Sequence, residues 1–393
     1  MKKLLKILMV SMLAICSIFS LMACTPNDAD DKDPGLQMYL NSEKGYYVVS
    51  EYVCDGETTK VEIPAEKNGY PVGEIKSNVF SGNDVITEIV VPTSIVKINE
   101  SAFAGIKKLA KITLPFIGKT ANSDSFYNET ADAEDKAVNV ERTFAYLFGT
   151  ESFKGSIAVS ATYGKGESDV KTYYVPVTLK EVTIASKDVY GIPMYAFYGN
   201  TVLEKVNLND NIDKIGDYAF SGCGLLNDVT VPATVSYIGK NAFYGAAALN
   251  EGFVFANGDT ALTIGDYAFY GVGIENIVIP ARTTTIGDYA FATSAVNTVT
   301  VSTEKISAYA FMDCVNLEKV IITPAVKKIG VYAFEGCISL STFGVETVTA
   351  ANTIDLSGIE QLGAMSFAHL LDTVNYNVIS TLSNTVLANA FVK

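Results

Sequence analysis

Nucleophilic catalysis of the serine or cysteine type needs a base beside the nucleophile, and histidine is its usual form. The chain has one histidine, His369, in the stretch "SFAHL". It stands two residues after a phenylalanine that recurs along the chain, which reads as a substituent of a repeat rather than half of a catalytic pair. No zinc-ligand spacing, phosphate loop or dinucleotide fingerprint is present. Asp132, Glu134 and Asp135 are close in sequence but lack the glycine and closing glutamate of an EF-hand loop. Neither a metal nor a cofactor is expected, and with 43 acidic residues in the chain, paired carboxylates discriminate nothing. The chemistry-bearing residues point away from an enzyme.

The six cysteines divide by position. The opening "MKKLLKILMVSMLAICSIFSLMAC" has a basic start, an apolar run from Ile7 to Met22 and a small residue before Cys24, the layout of a secretory signal over residues 1–23. The apolar run is short for a spanning helix of about 20 residues. "Leu21-Met22-Ala23-Cys24" resembles a bacterial lipobox, in which the cysteine becomes the lipid-carrying first residue, so Cys24 is the expected lipidation site and the protein is expected outside the cell, held to its membrane by lipid alone. Two acyl chains suffice for stable anchoring where one is marginal. The acidic, proline-bounded residues 24–35 then read as a flexible tether. Cys16 leaves with the signal, and Cys54, Cys223, Cys314 and Cys337 remain. The last three each follow a repeated phenylalanine by three residues, so they read as small buried hydrophobes that stay reduced.

The formal charge of −14 falls to −17 once the signal takes Lys2, Lys3 and Lys6 with it. A surface of that sign repels phosphate backbones, so nucleic acid is not an expected partner.

Tyrosines form a registered stripe. Tyr195, Tyr218, Tyr267, Tyr289, Tyr309 and Tyr332 stand two residues before the repeated phenylalanine, and Tyr198, Tyr244 and Tyr270 one after it. A stacked ladder of rings is the packing interpretation. An aromatic strip for a protein or glycan partner is the functional one, since Tyr offers large contact area at small entropic cost.

What must position these residues is a repeat. Phe80, Phe103, Phe197, Phe220, Phe243, Phe269, Phe291, Phe311, Phe334, Phe367 and Phe391 recur mostly at intervals of 20 to 26 residues, with 23 the commonest, which is the signature of a solenoid. In "LLNDVTVPATVSYIGKNAFYG", Leu226, Val229 and Val231 suit a short strand facing inward, Pro232 closes it, and Gly239 permits a turn. Where an aspartate follows that glycine (Asp217, Asp266, Asp288), its carboxylate is expected to cap the amides of a short helical turn. A glycine two residues past the phenylalanine (Gly199, Gly222, Gly245, Gly271, Gly336) is expected to end the turn in the left-handed conformation.

"LEKVNLNDNIDKIGDYAFSGC" and "LEKVIITPAVKKIGVYAFEGC" resemble the BspA-like leucine-rich repeat family of bacterial surfaces. The resemblance runs from about Tyr46 to Phe391 and implies a mainly β fold with short helical or 3-10 turns, a right-handed solenoid of parallel strands with a period of about 23 residues. It also implies a strand-rich cap over residues 36–79, binding or adhesion roles, and no enzyme activity. The solenoid then covers residues 80–393, with a long irregular insertion at about 116–176, because Phe103 and Phe197 are 94 positions apart. Within it the acidic stretch from Asn122 to Glu141 reads as an exposed excursion, and "TFAYLFG" as a distorted corner.

Three functions fit such a chain to different degrees. A binding or adhesion module with an unidentified protein or glycan ligand leads, and a spacer or display scaffold in the envelope is the alternative. A two-lobed solute receptor would need compact lobes that the repeat does not leave room for. The strand face between the inward positions, from Val90 through Thr183, Thr230 and Val278 to Gly344, carries no charge or aromatic ring, and the column before it mixes signs. That face reads as bland.

Overall fold

A computed structural model describes residues 33–121, 140–162, 170–186, 191–348, 350–370 and 376–392. The expected export signal, Cys24, the expected tether up to residue 32, and most of the acidic stretch lie outside them.

Short parallel strands stack one per coil. Lys60–Glu62, Glu88–Val90, Lys111–Leu114, Glu181–Ile184, Lys205–Asn207, Asp228–Val231 and Gly252–Phe255 form a seven-stranded sheet. Asn276–Val278, Thr298–Val301, Lys319–Ile322, Thr342–Gly344, Thr353–Asp355 and Asn377–Ile379 form a six-stranded one. Alternation drives one side of each strand inward, so Val182, Val206, Val229, Val299 and Val320 are fully or almost fully buried. A second, shorter column lies on the return path of the coil, from Gly191–Ile192 through Lys214–Ile215, Tyr237–Ile238 and Leu262–Ile264 to Thr283–Ile286. The first coils are covered by strands Gly35–Asn41, Tyr46–Val53 and Tyr70–Ile75, the last of which pairs with Lys97–Ile98 of the solenoid.

Between the columns runs one file of phenylalanines. Phe197, Phe220, Phe243, Phe269, Phe291, Phe311 and Phe334 stack with centroids 5.0–5.4 Å apart and nearly parallel rings. The file begins on Tyr52 of the cap and ends on Phe391. Phe391 caps the C-terminus of the helix Asn384–Ala390, whose last carbonyls accept the amides of the preceding corner, Met365 to Asn389 and Phe367 to Ala390.

The interval from Phe103 to Phe197 does not interrupt the array. Strand Lys111–Leu114 pairs directly with Glu181–Ile184. Phe148 and Phe144 fill the missing place in the phenylalanine file, at 6.2 Å from Phe103 and 5.1 Å from Phe197. "TFAYLFG" is a corner, carrying the 3-10 turn Ala145–Phe148, and Tyr146 and Leu147 accept the amides of Ser101 and Phe103. Part of the same interval is an antiparallel hairpin, Ser156–Thr162 with Val170–Pro176, and it buries Val159, Tyr173 and Val175.

Every letter of the recurring "IGDYAF" has a task in contacts between coils. The isoleucine, alanine and phenylalanine are buried (Ile215, Ala219, Phe220). The glycine serves close approach rather than the turn expected of it. A Cβ on Gly216 would lie 2.5 Å from the Met194 amide nitrogen and one on Gly239 2.4 Å from that of Asp217. The aspartate is also corrected. Oδ1 of Asp217 accepts the Lys240 amide at 2.8 Å, that of Asp266 the Asp288 amide at 2.8 Å, and that of Asp288 the Ala308 amide at 3.1 Å, so the carboxylate joins successive coils instead of capping its own turn. Gly199, Gly222, Gly245, Gly271 and Gly336 are left-handed as expected, with φ between 67° and 74°.

The three corner thiols share one position. Sγ of Cys223, Cys314 and Cys337 donates to the carbonyl of Phe197, Phe291 and Phe311, each at 3.1 Å, and all three are free and fully buried. Burial pushes the Cys223 thiol up to about 12 and that of Cys314 to about 11, so they behave as packing groups, not nucleophiles.

Candidate partner-binding surfaces

The tyrosine stripe is built by an uncommon backbone. Tyr195, Tyr218, Tyr267, Tyr289, Tyr309 and Tyr332 all have φ of 56–59°, a left-handed conformation that costs a bulky residue roughly 1–2 kcal/mol. Stacking offsets this, at about 0.5–1.5 kcal/mol per pair. Tyr195 lies 4.9 Å from Tyr218, and after Asn241 takes one turn at the same position, Tyr267, Tyr289, Tyr309 and Tyr332 follow at 4.7, 4.3 and 5.0 Å with planes within 7°. Tyr244 and Tyr270 form a shorter parallel file at 4.9 Å. These rings are half-buried except Tyr244, which is 40% exposed, and Tyr289 and Tyr309 each have a stacked neighbour on both faces. Burial, followed by the fields of Tyr309 and Tyr267, raises the Tyr289 hydroxyl above its ordinary value, which keeps it a neutral donor.

The strand face differs from its reading as a bland surface of mixed signs. In register, Lys60, Glu88, Lys111, Glu181, Lys205 and Asp228 are successive rungs of strictly alternating charge. Lys60 meets Glu88 at 3.1 Å, Lys111 meets Glu181 at 2.9 Å and Lys205 meets Asp228 at 2.6 Å. Cross-strand pairs of this kind contribute only about 0.2–1 kcal/mol each, but a slipped register would set like charges together. The ladder is self-paired and stops at Gly252; the same strand position then carries Asn276 and Thr298 before Lys319, and on the neighbouring outward position Val254 is 49% and Val278 72% exposed.

His369 occupies the place of the corner glycine, is exposed, and its Nδ1 lies 3.1 Å from Glu335. Among the described residues no three of His, Cys, Asp and Glu gather as a metal-binding group, and no helix is long and apolar enough to cross a membrane.

The profile of the BspA type leucine rich repeat region matches residues 59–161, 169–294 and 262–383. The chain belongs to this family. Solved structures similar to this BspA-type chain include a leucine-rich repeat protein from Bacteroides ovatus, at 21% identity over 89% of this chain and 100% of that one, TM-score 0.42. Others are a leucine rich cell surface protein from Faecalibacterium prausnitzii, at 18% identity, 92% and 97% coverage and TM-score 0.36, and the leucine rich repeat protein of T. pallidum, at 19%, 79% and 91%, and 0.28. No curated protein matches the chain.

In the BspA-type array the six expected tyrosines come together as two runs, Tyr195 with Tyr218 and Tyr267 through Tyr332. Sequence reasoning did not find the left-handed backbone beneath them. Asn78 and Asn241 at the same repeat position carried the signal, since asparagine favours that conformation.

Proposed function

We propose that the chain is a lipid-anchored, non-enzymatic binding and adhesion module of the bacterial cell surface, and that a protein partner docks on the tyrosine ridge. The observation that carries this reading is the run from Tyr267 to Tyr332, four rings 4.3–5.0 Å apart on a rigid corner. Rings already held by one another lose little freedom on binding, which is the condition under which aromatic anchors contribute most. A run with covered faces suits hydrogen-bond acceptors of a protein better than the flat stacking a sugar uses. The export signal over residues 1–23 and the lipobox at Cys24 support the location.

Soluble protein spanning residues 25–393 is to be used as bait against host and envelope components. Tyr289→Asn combined with Tyr309→Asn should weaken capture of the retained partner by about tenfold or more. Asparagine suits the left-handed backbone and stands there naturally at Asn241, so circular dichroism should remain that of the parent. Undiminished capture by the folded double variant refutes the ridge as the docking site. For the anchor, Cys24→Ala should move the full-length protein from the membrane to the soluble fraction, and retention through a high-salt wash contradicts lipid anchoring.

A further inference from the structure

Among the described residues the wall of parallel strands has one break. At most rungs the carbonyl just before a strand accepts two amides of the next coil, as Glu204 does from Asn227 and Asp228 and Glu275 from Asn297 and Thr298. Between Gly252–Phe255 and Asn276–Val278 no ladder bond forms, and the Glu275 amide turns to the side-chain oxygen of Asn250 at 3.2 Å. The opening is local. On the return side of the same coils Leu262–Ile264 still pairs with Thr283–Ile286, and Phe269 lies 5.1 Å from both Phe243 and Phe291. The coils therefore hinge at the corner and part at the strand face, and from the C-terminal ends of the two strands onward a cleft of about 580 Å³ lies between residues 255–259 and 278–282.

The splay is held in place. The interval from Phe243 to Phe269 is 26 residues instead of 23, and Pro280 has no amide to offer the neighbouring coil. Arg282 reaches back across the opening, donating to the carbonyls of Val235 at 2.6 Å, Thr260 at 2.8 Å and Pro232 at 3.4 Å.

The flanks of the break have a defined chemistry. Val254 and Val278 stand exposed on either side. Glu251 and Glu275 are exposed one coil apart with no cation among the described residues bonded to either, whereas at the equivalent rung of earlier coils Lys180 meets Glu204 at 3.0 Å. A cation between the two carboxylates would pair with both, as Lys180 pairs with Glu204.

We propose that this break accepts one extended segment of a partner protein as an additional parallel strand. The segment carries Lys or Arg toward its N-terminal end, between Glu251 and Glu275, and β-branched residues between Val254 and Val278. Main-chain pairing to two facing edges supplies affinity, and the flanking side chains supply selectivity. The inference rests on the reading of the chain as a binding module but not on the tyrosine ridge.

The probe is an acetylated, amidated peptide, Thr-Lys-Val-Thr-Val-Thr, added to the folded protein of residues 25–393 and followed by amide hydrogen exchange. Without peptide, residues 252–255 and 276–279 should exchange faster than 228–231 and 298–301. With peptide, their exchange should slow at least tenfold. A peptide with Glu in place of Lys should bind about tenfold more weakly, and Glu251→Lys with Glu275→Lys should reverse that preference. Tyr289→Asn should leave peptide protection unchanged, which separates this site from the ridge. Equal exchange in the free protein at all four segments, no protection at millimolar peptide, or equal protection by the Glu peptide or by one with proline at its central valine overturns the proposal. The peptide-side exchanges decide it even if the double variant does not fold.

Discussion

Phe220→Ala should destabilise the solenoid by about 3–5 kcal/mol, the range for removing a fully buried phenylalanine and leaving a cavity. Phe220 has no exposed surface and lies 5.1 Å from Phe197 and 5.0 Å from Phe243, so the loss falls on two interfaces at once. Its amide also bonds the Ala242 carbonyl at 2.7 Å, one of three corner amides (with Tyr218 and Gly222) passed to the next coil. In an array where each coil contacts only its neighbours, weakening two adjacent interfaces lowers cooperativity instead of melting the whole at once. Hydrogen exchange should therefore rise first across residues 197 to 243, before the ends. Uniform acceleration along the chain, or a single sharp transition with parental slope against denaturant, would show that coupling is not carried coil to coil.

Glu74→Gln should detach the cap's hold on the first coils, at a cost of about 3 kcal/mol near neutral pH. Glu74 is a buried carboxylate, its side chain 7% exposed. Burial alone would raise its pKa, but donation from Asn99 at 2.9 Å, Lys97 at 3.1 Å and the Tyr46 hydroxyl at 3.0 Å overrides this and brings it from 4.5 to about 2. Lys44 adds a longer contact at 3.4 Å. The donors come from both sides of the junction, Lys44 and Tyr46 from the cap and Lys97 and Asn99 from the first solenoid coils. A carboxylate whose folded pKa is depressed contributes stability above its unfolded value and loses it as pH falls through the folded one. The stability difference between the parent and Glu74→Gln should thus be full above pH 4.5 and shrink as pH falls toward 2. A difference independent of pH over that window would mean that shape, and not charge, joins cap to coil.

By itself the sequence determined the period, the inward residues and the character of each column. The reason is that within one coil every contact spans few residues, so "IGDYAF" meets the same local demands wherever it recurs, and the phenylalanine and thiol columns follow from counting. The tyrosine stripe was legible in the same way. Only stacking decided what one coil does to the next. The Asp217 carboxylate could serve two sets of amides, its own turn's and the next coil's, and the 2.4–2.5 Å closeness that forces glycine at Gly216 and Gly239 brings the second set to it. The alternating charges were visible as a list of mixed signs. Lys111 and Glu181 become neighbours only because the strand Glu181–Ile184 pairs directly with Lys111–Leu114 across a sequence gap that no period predicts. The break after Gly252–Phe255 likewise arises from a coil of 26 residues that keeps its place in the phenylalanine file and yields at the strand face, since stacked rings and a paired return strand hold one side more tightly than the other.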